Sequence, residues 1–211
     1  MAIDDLLDEH EQGERVRGWL RDNGAGLIGG VALGLALIWG WQWWQQQREH
    51  QRMQAGAQYQ TAIDNLKAGK LAQAQPQVAA LPDGTYDTLA AMALAKAQLT
   101  AGKRDDAIVT LRAAKAKDPE MAAIVEQRLA RLLIDAGKAK DALALLPADS
   151  RDPETLQVRG DAYSALGQQP QAQAAYAEAL TGLDVGSPQR NVVELKLSEV
   201  GGMPAKPEAR S

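Results

Sequence analysis

The chain has 211 residues, a formal net charge of −4 and no cysteine. That length allows one or two domains, and the missing cysteines exclude a disulfide framework and thiolate metal sites. Residues 1–23 carry three arginines against seven acids while everything from 45 onward is balanced, which excludes the basic footprint that nucleic acid requires.

In chain order, Ile3, Leu6, Leu7, Val16, Trp19 and Leu20 fall at helical spacing among the charges of residues 1–23. Acids outnumber bases there, so the pattern reads as a solvated amphipathic helix rather than a lipid-binding one. Residues 24–44 then run GAGLIGGVALGLALIWGWQWW without a charged side chain. As a helix this run is about 31 Å long, matching the ~30 Å hydrocarbon core of a bilayer. A cleaved signal peptide needs a basic leader and a small-residue cleavage site. Here the leader is acidic, and the run ends in Trp39, Trp41, Trp43 and Trp44 followed by three glutamines. The segment reads as a single transmembrane anchor.

Within it Gly26, Gly30 and Gly34 recur every four residues, and Ala32, Ala36 and Gly40 make a second small stripe. Such stripes let membrane helices approach closely, which makes this a candidate packing face. Arg15, Arg17 and Arg21 precede the span, and Arg48 and Arg52 follow it. The positive-inside rule therefore leans towards a cytoplasmic N-terminus without fixing it. Residues 45–55 read as a linker or an extension of the same helix.

From residue 56 the chain repeats. Gly69, Gly102, Gly137 and Gly167 are spaced by 33, 35 and 30 residues. Five residues after each stands Ala74, Ala107, Ala142 or Ala172, and seven before each stands Ala62, Ala95, Ala130 or Gly160. A period near 34 is the signature of stacked helix pairs. The glycine serves the turn, and the two small residues serve the crossing of the paired helices, where their size lets the axes approach. Asp118-Pro119 and Asp152-Pro153 separate successive pairs. After Pro188, NVVELKLSEV reads as a terminal helix covering the last repeat. The domain therefore spans 56–199, and 200–211 reads as a disordered tail.

Gly160, Tyr163, Gly167, Ala172, Tyr176 and Ala179 occupy, in order, the small and aromatic signature positions of the tetratricopeptide repeat. Ala95, Gly102, Ala107, Leu111, Ala114 and Pro119 match it in the second repeat. The chain departs from the family in lacking a first-helix tryptophan, in Pro147 and Asp149 of the third repeat, and in Pro76 inside the second helix of the first. The fold class read from this resemblance is all-α: one N-terminal transmembrane helix, then a tetratricopeptide-like α-solenoid of three good repeats and one degenerate entry repeat.

Helical repeats bind partners along the concave face lined by each first helix. In this register the candidate groove carries Tyr59, Ile63 and Leu66, then Leu89, Met92, Lys96 and Leu99, then Ile124, Gln127, Arg131 and Ile134. Glu154, Gln157, Asp161 and Ser164 continue it in the last repeat, so the face runs from apolar near the membrane to polar far from it. An apolar groove suits an unfolded segment or an amphipathic helix. The alternative is that many of these side chains pack between repeats.

Catalytic chemistry is missing from the pattern. His10 and His50 lie on opposite sides of the span, and no nucleophile elbow, phosphate loop or metal-ligand spacing occurs. Asp105 and Asp106 follow a turn glycine, where acids complement the helix dipole. The expectation is a protein that is not an enzyme, with no cofactor, no metal and no small-molecule substrate.

The whole plan comprises an acidic opening MAIDDLLDEHEQ, an Arg-flanked span, a Trp- and Gln-rich exit and divergent repeats. It resembles the ancillary subunits of the bacterial SecYEG translocon over essentially the full length. That resemblance implies an inner-membrane protein with a cytoplasmic N-terminus and a periplasmic repeat domain. It also implies association with SecYEG and with a membrane-anchored prolyl-isomerase-like chaperone, and a link to envelope-stress signalling. Two other readings stay open: a scaffold for another envelope complex, and a regulator acting through the cytoplasmic tail.

Overall fold

A computed structural model describes residues 4–203, with side chains from Gly13 onward. The side chains of Ile3, Leu6 and Leu7 and the tail from 204 to 211 lie outside the described residues. Among the described residues there are nine helices and no strand. The chain divides into two compact units, 1–54 and 55–211.

The first unit is carried by α1 (Asp4–Lys67), a helix of 64 residues that continues past the unit boundary. Among the described residues it is the one helix long and apolar enough to cross a membrane. The large apolar side chains of its 24–44 stretch are open, with Ile28 at 73% and Trp39 at 72% exposure. At 100° per residue, Trp39, Trp41, Trp43 and Trp44 point to more than one side of the helix, a collar of the kind found at membrane interfaces. The Trp41 and Trp44 rings meet at a tilt with centres 5.3 Å apart, and the Arg48 guanidinium lies 3.7 Å from the Trp44 ring centre. A cation over an indole face keeps its charge beside an apolar surface at low cost.

The second unit pairs helices. The end of α1 precedes α2 (Leu71–Ala79); α3 (Thr85–Thr100) pairs with α4 (Arg104–Ala113), α5 (Pro119–Asp135) with α6 (Ala139–Leu145), and α7 (Pro153–Ala165) with α8 (Gln169–Gly182). Finally α9 (Pro188–Glu199) covers the last pair. Each turn is built alike. Gly69, Gly102, Gly137 and Gly167 have φ between 71° and 75°, the left-handed conformation that costs an L side chain about 1 kcal/mol or more. Their amides and those of the following residues reach back to the last turn, as in Lys103 N to Gln98 O at 2.8 Å and Gly102 N to Leu99 O at 2.9 Å. This Schellman arrangement satisfies carbonyls that a helix end leaves orphaned.

The paired small residues sit at the crossings as the period requires: Ala62, Ala74, Ala107, Ala130, Ala142 and Ala172 have no exposed surface. Gly160 meets a different need, because a Cβ there would overlap the Tyr176 ring. Starts are set by Asp118 and Asp152, whose carboxylates accept from Met121 N and Thr155 N ahead of a proline in the first turn. Pro76 sits inside α2 without ending it. The third pair is short, α6 giving way at Leu146 before Pro147.

Order continues past the expected boundary at 199. Val200 is buried, its carbonyl accepts from Gln173 Nε2, and Gly201 at φ 82° closes α9 with the same turn as the repeats. Three apolar clusters, centred on α2–α3, α3–α7 and α7–α9, share the helices between them. The core is therefore a chain of neighbour contacts, as a solenoid requires.

Candidate functional site

The candidate groove is set by how the first helix of one repeat meets the first helix of the next. Ten residues before each turn glycine stand Tyr59, Met92, Gln127 and Gln157; six before stand Ile63, Lys96, Arg131 and Asp161. At three of the four seams these residues are engaged. Tyr59 packs at a tilt against Tyr86 with ring centres 5.3 Å apart. Gln127 Nε2 donates to Asp152 Oδ2 at 2.8 Å and to Thr155 Oγ1 at 3.0 Å, and Arg131 reaches Glu154 at 3.1 Å. Gln189 donates to Gln157 at 3.1 Å, while Lys196 Nζ lies 2.8 Å from both oxygens of Asp161.

The same Asp161 accepts the Tyr176 hydroxyl at 2.6 Å. Burial pushes that hydroxyl far above the ordinary phenol range, and its hydrogen bond to the Asp161 carboxylate adds to the effect. The Asp161, Tyr176 and Lys196 groups thus pin α9 to the last repeat. The polar end of the expected groove is accordingly occupied by the chain's own terminal helix, through Gln157 and Asp161.

The seam between α3 and α5 differs. Among the described residues its one polar contact is Arg128 Nη1 to Met92 Sδ at 3.3 Å. The seam opens into a cleft of about 310 Å³ floored by Met92, Ala95, Leu99, Leu111 and Leu132, with Lys96, Arg128 and Arg131 in its walls. A neighbouring cleft of about 470 Å³ is lined by Leu66, Leu71, Ala93, Lys96 and Thr100. Of the expected groove residues, Leu66, Met92, Lys96, Leu99 and Arg131 therefore come together around two adjoining clefts on α3. Tyr59 and Ile63 pack part-buried on the first core cluster, and Leu89 and Ile134 on the second. Gln127 is buried inside a seam, and Ile124 is exposed at 40% without lining either cleft.

Two further clefts, of about 430 and 350 Å³, flank residues 114–116, where the short α4 and α6 leave room. Neither was expected from sequence, because they arise from helix length rather than residue type. Lys115, Glu126 and Asp141 give the first of them walls of both signs. In the anchor, a Cβ added at Gly26, Gly30 or Gly34 would meet nothing within 4 Å, so the small stripe is open among the described residues. The described residues hold no group of three or more His, Cys, Asp or Glu side chains placed to bind a metal ion.

Comparison with known proteins gives the same outline. The chain is 26% identical over 200 residues to the ancillary SecYEG translocon subunit of Escherichia coli (strain K12), covering 92% of this chain and 97% of that protein. It is 26% identical over 166 residues to the protein of the same name from Haemophilus influenzae, covering 75% of this chain and 76% of that protein. The tetratricopeptide repeat-like domain matches residues 17–202, a stretch that takes in the apolar span as well as every helix pair. The left-handed glycine turns, the buried small crossings and this match agree: the chain belongs to the tetratricopeptide repeat-like domain family.

Proposed function

We propose that the chain is a membrane-anchored interaction module of the secretion machinery, an ancillary subunit of SecYEG without catalytic chemistry of its own. The observation that carries this reading is the co-linear match of anchor and repeats to a translocon subunit over 92% of the chain. It crosses the inner membrane once, with residues 1–23 cytoplasmic and the repeat domain periplasmic. The open Gly26, Gly30 and Gly34 stripe docks the anchor laterally against the translocon or a membrane-anchored prolyl-isomerase-like chaperone. The clefts on α3 receive that chaperone or an emerging polypeptide. Tethering keeps the repeats at high effective concentration where substrate appears, so weak contacts suffice.

Crosslinking in cells followed by affinity purification in mild detergent tests the assignment. The expected result is recovery of SecYEG, with a Gly30→Leu variant recovering less because its side chain blocks close helix approach. Recovery of a division or cytochrome-maturation complex, with no translocon, overturns it. Orientation is checked by fusing alkaline phosphatase after Gly202: activity supports a periplasmic domain, and an inactive fusion of normal abundance reverses the topology.

A further inference from the structure

Three of the four seams between first helices are closed by the second residue of the incoming helix: Tyr86 on Tyr59, Glu154 on Arg131, Gln189 on Gln157. At the α3–α5 seam that position is Glu120, and among the described residues neither Glu120 nor Lys96 has an ion-pair partner. The cleft left there has an apolar floor and three cationic side chains, Lys96, Arg128 and Arg131, and no carboxylate lines it. Glu154 answers one of the three from outside, at 3.1 Å from Arg131. The clefts beside residues 114–116 have acidic groups in their walls and lack this single-sign rim.

We propose that this cleft holds one bulky apolar side chain of an extended polypeptide segment whose flanking residues are aspartate or glutamate. At about 310 Å³ it lies at the small end of ligand pockets, fit for a side chain rather than a whole helix. Desolvation of the floor gives the attraction, and the cations choose the partner by sign and steer its approach. The inference rests on reading the repeats as a polypeptide-binding module, and it adds the chemical class of segment that is bound.

The test uses the full-length protein in nanodiscs of zwitterionic lipid. The probe is a short fluorescein-labelled peptide with one leucine between glutamates, alongside versions carrying glutamine or lysine in their place. Fluorescence anisotropy should rank them glutamate, glutamine, lysine, with the glutamate peptide weakening as salt rises. The double variant Lys96→Gln, Arg128→Gln should bind the glutamate peptide about tenfold more weakly and the glutamine peptide almost unchanged. Leu99→Gln should weaken both, and Leu195→Gln on the outer face of α9 should weaken neither. Lys96 and Arg128 are exposed, so the double variant should melt like the parent.

Absence of binding by the parent, equal binding of the lysine peptide, or binding indifferent to Lys96 and Arg128 overturns the proposal. The same double variant should still co-purify with SecYEG through its anchor. A parent that fails to co-purify defeats the translocon assignment and leaves the peptide result standing.

Discussion

The second and fourth repeats solve one packing problem in two ways. In the second, α3 and α4 cross through Ala95 and Ala107, and the position nine residues after the glycine turn holds Leu111. In the fourth, that position holds Tyr176, and the first-helix small residue shrinks from alanine to Gly160 to make room for the ring. Tyr176 is buried to 2% exposure, and its hydroxyl finds Asp161. What the fold keeps constant is the summed volume at the crossing, while the identity of either residue is free. The larger ring brings a polar handle that the leucine lacks, and the fourth repeat uses it to hold a terminal helix.

The most damaging test of that comparison is Gly160→Ala. Its Cβ would enter the Tyr176 ring, so the repeats should lose about 3 kcal/mol, some 9 °C in Tm. Adding Tyr176→Leu should restore at least half of the loss, because the pair then copies the second repeat and alanine is the better helix former. A double variant no more stable than Gly160→Ala alone would break the volume rule.

Next in size is Ala107→Leu, which overpacks the α3–α4 crossing at a residue with no exposed surface and should cost about 2 kcal/mol. An unchanged melting curve would mean that this crossing is looser than its burial states.

The smallest expected effect is that of Tyr176→Phe, about 1 kcal/mol at neutral pH from the lost hydrogen bond to Asp161. Here the sign of the pH dependence is informative. The hydroxyl is held above its ordinary value in the folded state, so the folded state binds that proton more tightly than the unfolded one. Its contribution is complete below about pH 10 and is lost as pH rises beyond it. The stability difference between parent and Tyr176→Phe should therefore narrow above that pH in urea titrations.

The repeat frame was legible because its signals are local. A glycine that must adopt positive φ and an alanine at a helix crossing announce themselves within one helix pair, and all four turns and their crossings lie where the spacing places them. Pro188 likewise marked the start of α9. The seams were not legible. That Gln127 reaches Asp152 and Thr155, or that Asp161 pairs with Lys196 rather than lining a free surface, depends on how one repeat stacks on the next. No spacing within a repeat encodes that stacking. The clefts beside residues 114–116 were missed for a related reason, since they are made by the early ends of α4 and α6. Val200 fell outside the expected domain because its burial is decided by an apolar cluster with Ala172, Tyr176 and Leu197, most of it far away in sequence.

The division of aromatic residues between the two units has a practical consequence. All five tryptophans lie between residues 19 and 44, all four tyrosines between 59 and 176, and phenylalanine is absent. The protein thus carries two separate intrinsic fluorophores. Tryptophan emission reports the polarity and quenching around residues 19–44, and none of it arises in the repeats. The tyrosines, the buried Tyr176 among them, lie in the repeats alone. Red-edge excitation, which tryptophan alone absorbs, therefore reads the anchor in one unlabelled nanodisc sample without any signal from the repeats.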